Sequence, residues 1–206
     1  YKQYQHNPGD STSLTSDKIV SVFEDKSGVI WVGDISGGIN RFDRVNDSFK
    51  HYIKSIPCKK LFEDSEGILW IGTSAGIYRY HPKEDKFLPF FDSESDVGHL
   101  DIINIIEDDE RNLWMHNNSE LIRVNRSTGE AYVYSTKFGI VENSLTPLGF
   151  HKNRKGEFVL NHQKGFYTFY PKDLDINIFP LKIIITNFFI NALPVLTGNE
   201  SVLKRP

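Results

Sequence analysis

The chain has 206 residues and a net charge of −3, with 39% hydrophobic and 13% aromatic residues, a composition that supports a packed core and excludes wholesale disorder. The mild negative charge gives no basis for a nucleic-acid partner or for contact with an anionic membrane surface. Cys58 is the single cysteine, which excludes an intrachain disulfide, and no apolar run approaches the roughly 18 residues of a membrane helix.

The first residue is Tyr1, and the sequence is expected to be a piece of a longer polypeptide whose targeting segment lies elsewhere. Residues 1–4 (Tyr-Lys-Gln-Tyr) match residues 49–52 (Phe-Lys-His-Tyr). They are expected to be the outer strand of an upstream blade, or a strand that closes the last one. Residues 19–24, a strand around Trp31, residues 38–42 and residues 49–52 then read as four short strands. The pattern returns at 60–63, 68–71, 76–80 and 87–90, where Pro89 suits an edge strand because its missing N–H is not needed. It returns again at 101–107, around Trp114, at 121–124 and at 131–134. A more distant copy runs from Phe150 through Asn161 to a strand at 165–169. Aromatic and β-branched residues fill these segments, and turn residues separate them.

One phrase repeats. Glu24-Asp25-Lys26-Ser27-Gly28-Val29-Ile30-Trp31-Val32-Gly33 recurs as Glu63-Asp64-Ser65-Glu66-Gly67-Ile68-Leu69-Trp70-Ile71-Gly72, and in altered form from Glu107 to His116. The Trp positions are 39 and 44 residues apart, and Val159 falls in the fourth slot. A period of about 40–50 residues with four strands is that of a β-propeller blade. The fold class is therefore all-β: about four blades of a larger ring, since most propellers need more to close. Blades occupy residues 1–171, a linker 172–180, and the start of a truncated second β domain 181–206, opening with a strand at 181–190.

Asp25 and Asp64 open type I turns that Gly28 and Gly67 close with a positive φ. Paired carboxylates suit acid–base catalysis, but here they recur on separate blades, so a structural role is the reading. Arg111 replaces the glycine in the third copy, and that turn is expected to be strained or differently shaped. Trp31, Trp70 and Trp114 are expected to pack between blades, with a sugar-stacking platform as the alternative. Gly33 and Gly72 follow the Trp and are expected to permit close backbone packing.

The candidate binding residues lie where the repeat breaks. The loop after the second strand is Gly72-Thr73-Ser74-Ala75 in one copy, His116-Asn117-Asn118-Ser119 in the next and Asn161-His162-Gln163-Lys164 in the last. His116, Asn117, Asn118, Asn161, His162 and Gln163 are expected on one face of the disc, where amides and imidazoles can bond sugar hydroxyls or a peptide. A solvated loop is the alternative. The seven histidines show no metal-ligand spacing, and no phosphate loop or nucleophile elbow occurs. No metal, cofactor or catalytic residue is expected. Cys58 sits beside two lysines that favour a thiolate, yet no partner is evident, and a passive thiol is expected.

The phrase Glu24-Asp25-x-x-Gly28-x-x-Trp31-x-Gly33 with Gly38-Ile39-Asn40-Arg41-Phe42, and its second copy with Trp70-Ile71-Gly72-Thr73 and Gly76-Ile77-Tyr78-Arg79-Tyr80, resembles the two-component regulator propeller repeat. The tail from Pro180 to Val195 looks like the entry to the triple-tyrosine-motif β-sandwich that follows such propellers. The resemblance implies the periplasmic sensor region of a Bacteroides-type hybrid histidine kinase and response regulator. Such a region is expected to detect glycan fragments and regulate polysaccharide-utilisation genes, with no catalysis in this piece. It implies an oligosaccharide ligand, a homodimer formed through the parent protein, upstream blades and a downstream β-sandwich as neighbours, and membrane contact only through the parent. A propeller lyase or hydrolase is the first competing reading, and no recurring His pair supports it. A WD-repeat-like interaction scaffold is the second, and no Trp is followed by Asp.

Overall fold

A computed structural model describes residues 1–174, 189–190 and 193–194. The chain divides into two units, Tyr1–Asp173 and Leu174–Pro206. The first contains three four-stranded antiparallel meanders. Blade 1 is β1 (Ile19–Glu24), β2 (Ile30–Asp34), β3 (Gly38–Asp43) and β4 (Ser48–Tyr52). Blade 2 is β5 (Cys58–Glu63), β6 (Leu69–Thr73), β7 (Gly76–His81) and β8 (Lys86–Pro89). Blade 3 is β9 (Asn104–Glu107), β10 (Asn112–His116), β11 (Leu121–Asn125) and β12 (Ala131–Tyr134). Blade 4 has three strands among the described residues: β13 (Leu145–Lys152), β14 (Phe158–His162) and β15 (Gly165–Phe169). In the second unit, β16 (Phe189–Ile190) pairs with β17 (Leu193–Pro194). The expected linker over 172–180 is described at 172–174, where Pro171–Asp173 forms a 3-10 turn; residues 175–180 and most of the expected strand over 181–190 lie outside the described residues.

The meander is the simplest solution for short strands joined by two- to five-residue turns, because consecutive antiparallel strands need no crossover. The second strand of each of blades 1 to 3 is almost wholly buried, and its two faces serve neighbouring blades. The core therefore lies between blades. One cluster joins Trp31, Ile39 and Tyr52 of blade 1 to Cys58, Leu61, Ile71 and Phe87 of blade 2. Another joins Trp70 and Ile77 of blade 2 to Ile102, Ile105, Leu113 and Met115 of blade 3. Close approach at these seams requires glycine. A Cβ on Gly33 would lie 2.3 Å from Cys58 Sγ, and one on Gly72 would lie 2.7 Å from the Ile102 carbonyl oxygen.

Residues 1–4 form no ladder among the described residues and pair with no strand of blade 4, so they do not close that blade; the partner strand of an upstream blade would lie before Tyr1. Instead Tyr4 lies edge-on against Phe42 and Phe49, with ring centroids 5.0 and 5.4 Å apart. At the third A–B turn the expected strain is present and the expected change of shape is not. Arg111 adopts φ +66°, alongside +83°, +81° and +80° at Gly28, Gly67 and Gly156, and its N–H donates to the Asp108 carbonyl as Gly28 does to Asp25. The turn keeps its shape with an L side chain in the left-handed region, which is costly. Arg111→Gly is expected to raise stability by about 0.5–1 kcal/mol, the relief of strain exceeding the added entropy of the unfolded chain; its exposed ion pair with Glu66 contributes little. Urea denaturation of the two proteins measures this.

Candidate functional site

Each of blades 1 to 3 is fastened by one acidic side chain. Asp25 Oδ1 accepts the N–H groups of Ser27 and Val29, while Oδ2 accepts the Trp31 indole N–H at 2.8 Å. Asp64 does the same for Glu66, Ile68 and Trp70, with the indole bond again 2.8 Å. Asp108 does so for Glu110, Asn112 and Trp114, at 2.7 Å to the indole. A carboxylate saturated by donors in this way has no proton-transfer task. Burial pushes the Asp64 carboxyl up, but the Trp70 indole, the Ile68 N–H and the Arg126 guanidinium outweigh it and hold it below the usual range. The three indoles are at most 1% exposed, so none offers a face for sugar stacking. Each instead lies beneath a cross-strand arginine, Arg41, Arg79 or Arg123.

Asn153 takes the aspartate's place in blade 4. Its Oδ1 accepts the Lys155 and Glu157 N–H groups, and Val159 stands six residues on, where the indole would be. The sequence reading missed Asn153 because the acidic signature is gone, although an amide oxygen keeps the turn-capping half of the lock.

The structure gathers part of the candidate polar loops on one face. B–C and D–A loops share that face: the Leu145 N–H donates to the Asn118 carbonyl, and the Gln163 N–H to that of Ser144. Asn143 joins the two loops, since its N–H donates to Ser119 Oγ and its carbonyl accepts Gln163 Nε2 at 2.9 Å. Asn143 was not among the sequence candidates; its φ of +53° is a conformation asparagine tolerates. Asn118 and Gln163 are exposed, and Asn161 and His162 are half-buried. The His162 ring lies 4.7 Å from that of Tyr167, and its Nδ1 accepts the Lys164 N–H. Asn117 is committed internally, with Oδ1 accepting the Ser119 and Glu120 N–H groups and Nδ2 donating to Glu120.

His116 departs most from the expectation. It is 0% exposed and sits in the slot of Gly33 and Gly72, facing blade 4 with its ring 5.4 Å from that of Phe150. It is therefore a seam residue, not a solvent-facing loop residue. Its Nδ1 bonds the Asn117 carbonyl at 3.0 Å. A carbonyl only accepts, so Nδ1 carries the proton and the buried Nε2 is a bare acceptor with no hydrogen-bond partner among the described residues. Burial lowers the imidazole's pKa, and the Asn117 bond opposes that only in part. The folded state thus favours neutral His116, while the unfolded chain protonates near 6.5. Stability is expected to fall as pH drops below about 6.5 toward the lowered folded value. Urea midpoints measured between pH 8 and pH 5 should show this slope, and His116→Phe should flatten it.

On the opposite face, the A–B turns of blades 3 and 4 enclose a shallow cleft of about 150 Å³ lined by Asp108, Asp109, Glu110, Lys155, Tyr170 and Lys172. Lys152 pairs with Asp109 beside it. Among the described residues no group of His, Cys, Asp or Glu is placed to hold a metal ion, and no helix is long and apolar enough to cross a membrane. Burial pushes the Cys58 thiol up to about 12, with the Asp34 carboxylate adding to it, which outweighs the two adjacent lysines.

Repeated four-stranded meanders, cores shared between neighbours and one aspartate–indole lock per repeat define a β-propeller blade array. The family model described as two component regulator propeller matches residues 13–36 and 55–75, which carry two of these repeats. Over its whole length the chain is 26% identical to part of Histidine kinase P4 of Formosa agariphila, and it spans 16% of that protein. Among solved structures it is similar to the extracellular domain of the hybrid two component system BT3049 from B. thetaiotaomicron. That match has a TM-score of 0.72 at 18% identity, over 94% of this chain and 28% of the other. It is also similar to the extracellular domain of the hybrid two component system BT4673 from the same organism, with a TM-score of 0.67 at 24% identity, over 81% of this chain and 25% of the other. These likenesses establish the fold.

Proposed function

We propose that this chain is the extracytoplasmic sensing and relay part of a hybrid two-component sensor, placed on the periplasmic side of the inner membrane. The observation that carries this reading is the pair of two-component regulator propeller repeats within a chain similar throughout to part of a histidine kinase. The piece performs no chemistry of its own. A ligand that binds one arrangement of a sensor homodimer more tightly than another shifts the population between them, and the blades pass that shift to the domains that follow. The ligand class is an oligosaccharide, and the output is expression of polysaccharide-utilisation genes. Asn118, Gln163, Asn161 and His162, together with Tyr167, are the groups on the B–C face suited to meet hydroxyls and a sugar ring.

A relay role without direct ligand contact is the second reading. It is favoured by the internal commitment of Asn117 and His116, which leaves fewer polar groups on that face than the sequence offers. Calorimetric titration of the intact extracytoplasmic region against a panel of oligosaccharides separates the two. Saturable binding of one glycan class, weakened by His162→Ala and Gln163→Ala at unchanged thermal stability, supports the sensing site. No binding by a folded protein supports the relay.

A further inference from the structure

In all four blades the B–C loop is capped by the side chain at its head. Asp34 Oδ1 accepts the Ser36 and Gly37 N–H groups, each at 2.9 Å. Thr73 Oγ1 accepts the Ala75 N–H at 3.0 Å. Asn117 Oδ1 accepts the Ser119 and Glu120 N–H groups at 2.8 and 2.7 Å. In blade 4 the cap is His162 Nδ1, which accepts the Lys164 N–H at 3.1 Å. Carboxylate, hydroxyl and amide oxygens keep a lone pair free between pH 5 and pH 8, whereas an imidazole nitrogen accepts only while it carries no proton. A backbone N–H can only donate, so Nδ1 is bare here and Nε2 holds the ring proton.

This cap holds the junction of two loops. The next residue, Gln163, donates its N–H to the Ser144 carbonyl and its Nε2 to the Asn143 carbonyl, both at 2.9 Å. The B–C loop of blade 4 is thereby tied to the D–A loop that precedes β13. The imidazole is held from another side by Tyr167 of β15, with ring centroids 4.7 Å apart and planes tilted by 32°. The Tyr167 hydroxyl is engaged away from it, accepting the Val141 N–H at 3.3 Å. Across the ladder in β13 stands the apolar Leu145. The remaining titratable groups on these elements are Lys164 on the same loop and Lys137 and Glu142 on the D–A loop.

We propose that His162 is a proton switch on the B–C face: its protonation removes the Lys164 cap and unties the B–C loop of blade 4 from the D–A loop. Protonated, Nδ1 becomes a donor aimed at another donor 3.1 Å away. As a cation the ring gains attraction to the Tyr167 face, so the ring stays in place and the Lys164 amide withdraws, taking Gln163 with it. Blades 1 to 3 keep their oxygen caps, so the loosening is confined to blade 4. This inference rests on the cap geometry and not on the sensing role, and its test contains no ligand.

The test is hydrogen exchange read by mass spectrometry on the full-length natural polypeptide at pH 7.5 and pH 5.5, with rates corrected for the intrinsic effect of pH. The amides of Gln163 and Lys164 are expected to lose protection by about tenfold over this range. His162→Asn restores a permanent acceptor, as Asn117 provides in blade 3, and is expected to keep protection at both pH values. His162→Ala is expected to lack it at both. Unchanged wild-type protection at pH 5.5 would overturn the proposal. So would an equal fall in His162→Asn, which places the titration in another group such as His116. A loss that extends equally to β10 and β14 marks general unfolding and also overturns it.

Discussion

Replacing Asp64 by alanine is expected to remove about 3–5 kcal/mol of stability, because it leaves a buried guanidinium without its closest counter-charge. Arg126 of the blade 3 C–D turn is nearly buried and pairs with Asp64, with Glu66 at 2.8 Å and more distantly with Glu107. The same carboxylate caps its own turn and accepts the Trp70 indole. One substitution thus breaks a turn, an indole anchor and an inter-blade ion pair. Asp25→Ala removes the first two only, because Asp25 has no such arginine, and is expected to cost about 1–2 kcal/mol. The contrast, read from urea denaturation of both variants, isolates the arginine contribution. Equal losses would place the energy in the turn alone. Asp64→Ala combined with Arg126→Met should recover part of the loss, since the stranded charge is then gone.

Trp31→Ala is expected to cost about 3–5 kcal/mol, the range for emptying a large aromatic site in a packed core. The indole is 1% exposed and meets Tyr52 of its own blade and Tyr80 and Phe87 of the next, with ring centroids 5.0–5.5 Å apart. Trp31→Phe should lose less, because ring contacts persist while the bond to Asp25 goes. If Trp31 were instead a ligand platform, Trp31→Ala would abolish binding at nearly unchanged stability; thermal melts and titration of the same preparation decide between these outcomes.

The strand plan was legible because it was written repeatedly. Residues 19–24, 131–134 and 165–169 were read at the bounds that β1, β12 and β15 adopt. Any single copy is an ambiguous apolar run, but the period fixes which run is which strand. The aspartate-to-tryptophan bond was not read, although its spacing of six residues recurs in three copies. That spacing is meaningful only once the turn folds the carboxylate back over the second strand. Arg126 was illegible for a different reason. It lies 62 residues from Asp64 in sequence, and nothing local marks it. His116 was misplaced because a histidine beside two asparagines reads as a polar loop. Its alignment with Gly33 and Gly72, both pressed against the following blade, held the opposite information: that slot points into the neighbour.

The two larger apolar clusters lie between blades, so most of the interior that stabilises blades 1 to 3 is shared, while Leu14, Val32 and Phe49 form a smaller cluster within blade 1. Each seam is held jointly, so a shift of one blade disturbs the packing on both of its sides, and the neighbours must yield or resist together. Such an arc is stiff toward single-blade displacement and compliant at its ends. A displacement imposed at one end would pass from seam to seam. At the seam between blades 3 and 4 an imidazole stands where a glycine stands at the other two.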